Sequence, residues 1–240
     1  MNDAYGVLAR YYDKLITGYN YPDIIEYIIT STSGGKGIDL ATGTGRIAIA
    51  LAERGYNMTG ADVSTEMLTR AMEAASKKGV KIPFVKMDIS KPELKSDYDL
   101  VTCCCDGINY IPQSKLDNSF KAIGERIKSG GIFIFDYSTP YKLNEIIGEN
   151  VFYEDLQELT YLWTNKKIEG GIAMRLTFFT RAGKGYLRED EEHTQYIHTA
   201  DDIESALINA GFEVKETLDA FTLMDVHSKS ERILYKGVKK

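Results

Sequence analysis

Cysteine is scarce in this chain, and what there is sits in one place. The 240 residues hold three cysteines, Cys103, Cys104 and Cys105, side by side. Adjacent thiols have the spacing of neither a zinc site nor a disulfide framework, so no metal is expected and a reducing, cytoplasmic setting is. Positive charge is also short: 29 Lys and Arg against 35 Asp and Glu leave a net charge of −6. That disfavours a nucleic-acid partner, because phosphate binding draws on a concentrated basic surface. No apolar run approaches the ~20 residues needed to cross a bilayer, and Met1 to Arg10 lacks an apolar signal core, so no membrane association is expected. Internal repeats, linkers and low-complexity segments are missing too. What remains has the ordinary composition of a globular chain, 43% hydrophobic and 27% charged. It is long enough to bury a core without staples, as a monomer or homodimer.

The patterning supplies the fold class. Apolar residues from Ile24 to Ile29 share a helix face behind Pro22, and Gly34, Gly35 and Gly37 end that helix. Strand-like and helix-like segments then alternate: strand 37–41, helix 46–54, strand 57–61, helix 65–78 capped by Ser64, strand 82–87, strand 98–104, helix 114–128 ended by Gly130-Gly131, and strand 132–136. Such alternation specifies a parallel sheet covered by helices on both faces, a Rossmann-like α/β fold. After Pro140 the rhythm becomes extended. Segments 159–164, 172–180 and 186–197, separated by Glu169-Gly170-Gly171 and Ala182-Gly183-Lys184-Gly185, predict an antiparallel insertion of three strands or more. A helix over 200–210, with Thr199 as N-cap and Gly211 past its end, leads to a terminal strand pair, 212–217 and 231–238. Three parts are expected: an N-terminal cap and nucleoside-binding core (1–140), the antiparallel insertion as a substrate cover (141–198), and a C-terminal helix and strand pair completing a seven-stranded sheet (199–240).

The sharpest local feature is Ile38-Asp39-Leu40-Ala41-Thr42-Gly43-Thr44-Gly45, a strand entering a glycine turn before a helix. Gly43 and Gly45 let the backbone approach a ligand, and the helix start offers N–H groups to an anion or carboxylate. Asp62, at the end of the second strand, is placed to accept both hydroxyls of an adenosine ribose. Gly43 to Ala48 also satisfies the dinucleotide pattern G-x-G-x-x-G/A, which keeps an NAD(P)-dependent oxidoreductase open. Three observations weigh against it. Asp39 before the glycines suits a ligand carrying an ammonium group; Asp88 past the third strand suits an adenine amino group; the terminal strand pair does not fit a paired mononucleotide fold.

Asp39-Leu40-Ala41-Thr42-Gly43-Thr44-Gly45, Ala61 to Leu68, Lys86-Met87-Asp88-Ile89 and Tyr98-Asp99-Leu100-Val101 together resemble, in order, the motifs of class I S-adenosylmethionine (AdoMet)-dependent methyltransferases. The resemblance covers roughly residues 36 to 137, with Ala41 where the family usually has Gly. It implies AdoMet as cofactor. The backbone of Ala41 and Gly43 would flank its methionine part, Asp62 would hold its ribose, Val63 and Met67 would lie against the adenine, Asp88 and Ile89 would reach the adenine edge, and Cys104 would line the methionine side. A non-catalytic AdoMet-binding or interaction protein remains the other alternative.

Within the superfamily the chain is similar to small bacterial methyltransferases with an antiparallel insertion, a group that includes sugar-amine N-methyltransferases. The run Tyr11-Tyr12-Asp13-Lys14-Leu15 resembles an element that closes over the cofactor, so Tyr12 is assigned a cofactor contact; an amphipathic helix using both tyrosines as core explains it equally. Three residues are candidates for the catalytic side. Asp106, just after the fourth strand, could hold a substrate ammonium or hydroxyl. Tyr110, aligned with a His of the sugar-amine enzymes, could orient a nucleophile or simply pack beside Ile111. His193, in the Glu191-Glu192-His193 run, could act as a general base near neutral pH or merely be solvated on an exposed strand. The Pro-Pro-aromatic and Pro-Cys elements of nucleic-acid methyltransferases are missing, so methyl transfer to an N, O or C nucleophile of a small molecule is expected.

Overall fold

A computed structural model describes residues 6–16, 18–95 and 97–240, so the first five residues of the expected N-terminal cap lie outside the described residues. The main sheet contains β1 (Lys36–Leu40), β2 (Asn57–Asp62), β3 (Phe84–Lys86), β4 (Tyr98–Cys103) and β5 (Ile127–Ser138), together with β10 (Phe212–Asp219) and β11 (Arg232–Lys239). Its seven strands run in the order β10-β11-β5-β4-β1-β2-β3. Strands β1 to β5 pair in parallel; β11 pairs antiparallel with β5, and β10 antiparallel with β11. The chain order reverses between β1 and β4, and at such a switch point the crevice beyond the strand ends opens for ligands.

Both faces of the sheet are covered, which explains the near-continuous apolar strands. Helices α2 (Tyr21–Ser31) and α3 (Arg46–Glu53) bury Ile24, Ile28, Ile47 and Leu51 against Leu100, Ile134 and Leu234. Helices α5 (Leu116–Gly124) and α6 (Ala200–Asn209) bury Phe120, Ile123, Ile203 and Leu207 against Val101, Phe133 and Phe135. Alternate residues of β5 therefore serve opposite layers, as strand pleating dictates. Helix α4 (Thr65–Lys77) lies beside α3, and its Ser64 side chain accepts from the Met67 amide, capping the helix. Thr199 and Asp202 form a reciprocal capping box at the start of α6.

The expected helix 114–128 is corrected. The helical turns end at Gly124, whose missing Cβ leaves room for the Ala210 carbonyl oxygen, only 2.4 Å from where it would sit. By Arg126 the chain already accepts a hydrogen bond from the Tyr98 amide at 2.8 Å, so pairing with β4 has begun. Gly130, at φ +77°, belongs to an irregularity between the Tyr98–Ile127 and Leu100–Ile132 pairs, inside the strand rather than at a helix end.

The insertion is a four-stranded antiparallel meander, β6 (Val151–Asp155), β7 (Leu159–Ile168), β8 (Gly171–Ala182) and β9 (Gly185–Tyr196), preceded by a π-helical turn at Lys142–Ile147. Strand β6 lacks a signal in the sequence because it is short and almost wholly exposed. One face of the meander receives the N-terminal helix α1 (Leu8–Leu15), with Val7 and Leu8 packed on Leu159, Leu176 and Phe178.

Candidate active site

The loop leaving β1 is shaped by three left-handed residues, Ala41 (φ +50°), Gly43 (φ +55°) and Gly45 (φ +80°). Ala41 takes that conformation despite its Cβ, at a cost of order 1 kcal/mol. Asp62 holds the loop from the neighbouring strand. Its Oδ2 accepts from the Gly43 amide at 2.8 Å and its Oδ1 from the Ser64 amide at 2.9 Å, while burial pushes its carboxyl pKa up. Helix α1 is tied down over the loop by Asp13, which accepts from Thr44 Oγ1 at 2.9 Å and pairs with Arg46 at 2.9 Å.

Beyond the loop lies a cleft of about 240 Å³. Tyr12, Ala41, Gly43, Asp62, Val63, Met67, Asp88 and Ile89, all named from the sequence, meet on its wall. The fit to a nucleoside with an amino-acid tail follows from how little obstructs the loop: a Cβ on Gly43 would have Tyr12 Cε1, at 4.0 Å, as its nearest neighbour. Asp88 turns one oxygen to the Ser90 amide at 2.8 Å.

Three cofactor-side expectations change. Asp39 is not on the wall; its carboxylate lies beneath the loop, accepting from Thr42 Oγ1 at 2.5 Å and Thr102 Oγ1 at 2.6 Å, and burial pushes its pKa up to about 6. Gly45 caps α3 and packs against Ala71, Ile49 and Phe84 instead of facing the cleft. Cys104 turns into the core beside Ile134 and Leu234, because strand alternation sends it to the layer opposite Cys103; Cys105 lines the cleft in its place. Gly107 went unnoticed in the sequence, yet a Cβ there would fall 2.9 Å from Ala41 Cβ and 2.4 Å from Cys103 Sγ.

Tyr12, Cys105 and Tyr110 also wall a second cavity, of about 170 Å³, between the sheet ends, α1 and the insertion. Asp106 reaches it, but not as an open carboxylate. Arg232 pairs with Asp106 Oδ2 at 2.6 Å and Asp136 Oδ1 at 3.0 Å, and the Ser138 hydroxyl donates a short bond to Asp106. Burial raises the Asp106 pKa, but Arg232 and Lys142 more than offset it and hold the group below its ordinary value. Cys105 and Asp106 are both left-handed (φ +63° and +72°), and Asp136 anchors this strained pair by accepting from both amides at 3.0 Å. Nothing in the spacing of the sequence announces Arg232, which lies 126 residues past Asp106.

His193 is not on an exposed face: it is 6% exposed, on the inward side of β9 with Glu191 and Gln195. Its Nε2 lies 3.3 Å from Glu191 Oε2. Glu191 Oε1 accepts from the Leu8 amide at 3.0 Å and, more closely, from the Val7 amide. Burial pushes the Glu191 carboxyl up, and His193 with those amides outweighs it and holds the group ionised. An ionised carboxylate only accepts, so the Nε2–H of His193 donates to Glu191. Tyr110 stands edge-on to His193 with ring centroids 6.5 Å apart. Glu192 points outward, and His198 lies elsewhere, with Nδ1 2.6 Å from Gln113 Oε1.

A parallel sheet closed by an antiparallel strand pair, with an aspartate fastening a left-handed loop, matches the class I methyltransferase architecture. A family profile described as a methyltransferase domain matches residues 38–131. YqeM of Bacillus subtilis (strain 168), which carries a methyltransferase name, is 31% identical, the alignment covering 98% of this chain and 97% of that one. The crystal structure of an S-adenosylmethionine-dependent methyltransferase from Clostridium acetobutylicum ATCC 824 is 33% identical and superimposes with a TM-score of 0.89 over 98% of each chain. CalS10, an amino pentose methyltransferase from Micromonospora echinaspora solved with bound AdoMet, shares the fold at 16% identity (TM-score 0.76, 97% of this chain and 95% of that one). The chain belongs to the class I AdoMet-dependent methyltransferases; it is an enzyme and AdoMet is its cofactor. The nicotinamide and non-catalytic alternatives are set aside. Among the described residues no helix is long and apolar enough to cross a membrane.

Proposed function

We propose that AdoMet occupies the 240 Å³ cleft and that a small-molecule acceptor occupies the adjoining 170 Å³ cavity, its N, O or C nucleophile facing the cofactor past Tyr12, Cys105 and Tyr110. AdoMet, when bound, supplies a methyl group already activated on a sulfonium. The chain contributes placement and exclusion of water. In this reading Asp62 takes the ribose hydroxyls, Val63, Met67, Asp88 and Ile89 surround the adenine, and the Ala41–Gly43 backbone receives the methionine end. Residues 1–140 and 199–240 form the cofactor-binding body, and 141–198 cover the acceptor.

On the acceptor side His193, oriented by Glu191, takes a proton from the nucleophile, and Tyr110 helps to place it. Asp106, already paired with Arg232, holds the wall instead of a substrate cation. The observation that carries the reading is that the two cavities share three residues, so that ligands in both would meet there. Free, buried or half-buried cysteines suit a cytoplasmic enzyme. The test is incubation with methyl-labelled AdoMet and a metabolite extract, followed by mass spectrometry. Label in a low-mass product supports the proposal; label confined to protein or nucleic acid overturns it.

A further inference from the structure

Each step along the main sheet from β1 to β3, and from β4 to β5, passes through a helix, but among the described residues none spans the return from β3 to β4. A plain loop makes that crossing and leaves part of one sheet face without a helical cover. Ile38 and Thr59 are register partners, and Val85 pairs with Ala61 two residues on, so all three side chains share that face. Val85 is 38% exposed there.

The space so left is a cavity of about 420 Å³, larger than the cleft or the second cavity. Ile38, Thr59 and Val85 form its floor with the Tyr98 ring beside them, and Lys86, Lys91 and Lys95 line it together with Asp88 and Glu93. Three ammonium groups against two carboxylates make a local excess of positive charge on a chain whose total is −6. Lys86 donates to Thr65 Oγ1 at 3.2 Å, and one Asp88 oxygen accepts from the Ser90 amide at 2.8 Å. Lys91 and Lys95 are exposed, and the described ion pairs include neither. An apolar floor under such a rim suits one kind of occupant: the floor takes an apolar body and the lysines an anionic head. Met87 and Asp88 line both this cavity and the 240 Å³ cleft, so the two adjoin along one short segment.

We infer that this cavity is a second ligand site, separate from the acceptor cavity, for a small molecule with an apolar body and a phosphate or similar dianionic head. Resting on the cofactor reading above, its occupant also tightens AdoMet binding. It backs the segment that presents Asp88 to the adenine and holds it in place before the cofactor arrives.

The experiment is calorimetry on the full chain at low ionic strength, with S-adenosylhomocysteine saturating and 1-naphthyl phosphate, 1-naphthol and inorganic phosphate as probes. 1-Naphthyl phosphate should bind roughly tenfold more tightly than either of its parts. Lys91→Gln combined with Lys95→Gln removes two exposed charges and should weaken it roughly five- to tenfold. Val85→Glu, which sets a carboxylate on the floor, should abolish its binding. Without S-adenosylhomocysteine the unsubstituted chain should bind it about threefold more weakly, and by linkage the probe should tighten S-adenosylhomocysteine by the same factor. No binding of 1-naphthyl phosphate, equal binding of 1-naphthol, or indifference to the lysine pair would each overturn the site. Equal affinity with and without S-adenosylhomocysteine would overturn the coupling. The affinity for S-adenosylhomocysteine alone, measured first in every variant, keeps the two levels apart. Failure there counts against the cofactor site, and an intact value with a failed probe counts against this second site alone.

Discussion

The Gly43 amide donates to Asp62 Oδ2 across 2.8 Å, so the loop after the first strand is fastened to the tip of the second. One carboxylate thereby shapes the loop and lines the cleft beyond it.

Asp62→Asn is nearly isosteric, so the cleft keeps its shape while the charge is removed. A hydrogen bond to a charged group contributes about 1.5–3 kcal/mol, so AdoMet affinity should fall roughly 10- to 150-fold by calorimetry. Stability should also drop, because the amides of Gly43 and Ser64 lose a charged acceptor. An unchanged dissociation constant would remove Asp62 from the ribose site.

Asp39 gives a pH signature. Burial raises its folded-state pKa from 3.8 to about 6, so between those values the folded chain binds more protons than the unfolded one. Stability contributed by this group is then fully present below about pH 4 and is lost as pH rises to 6, a change of about 3 kcal/mol. Asp39→Asn cannot ionise. The difference in urea-unfolding free energy between variant and wild type should move in the variant's favour by that amount from pH 4 to pH 7.

Arg232 is the one cation bridging Asp106 and Asp136 among the described ion pairs. Arg232→Met keeps the volume and leaves Asp136 buried beneath a strained turn. Breaking one partner of such a buried pair costs about 3–5 kcal/mol, measurable as a large drop in melting temperature. Asp106→Asn, which leaves Arg232 paired with Asp136, should cost less.

Glu191 joins the start of α1 to the imidazole of His193. Glu191→Gln should loosen α1 and speed tryptic cleavage after Arg10 and Lys14, followed by mass spectrometry. With an acceptor in hand, kcat should fall on the order of 100-fold, the scale of general-base catalysis, with little change in AdoMet affinity.

How legible all this is from sequence depends on the range of the interaction. The cleft wall is readable because strand, loop and carboxylate lie close along the chain: Gly43, Asp62 and Asp88 each lie at or just past a strand end. Cys104 misleads by one residue, since β4 ends at Cys103 and it is Cys105 that lines the cleft. Helix α5 is overextended because the glycines at 130 and 131 imitate a helix stop, while the real constraint is the close approach of Ala210 to Gly124. The second cavity is least legible. Glu191 and His193 are buried by α1, which lies 184 residues away from the carboxylate that caps it, and Arg232 reaches Asp106 from the last strand. No local pattern encodes such meetings.

The most direct measurement is a crystal structure with S-adenosylhomocysteine. The account predicts the ribose hydroxyls within hydrogen-bond distance of Asp62, the adenine between Met67 and Ile89 near Asp88, and the amino-acid tail along Ala41 to Gly43. A ribose seated away from Asp62, or a nucleoside bound outside the cleft, would contradict it.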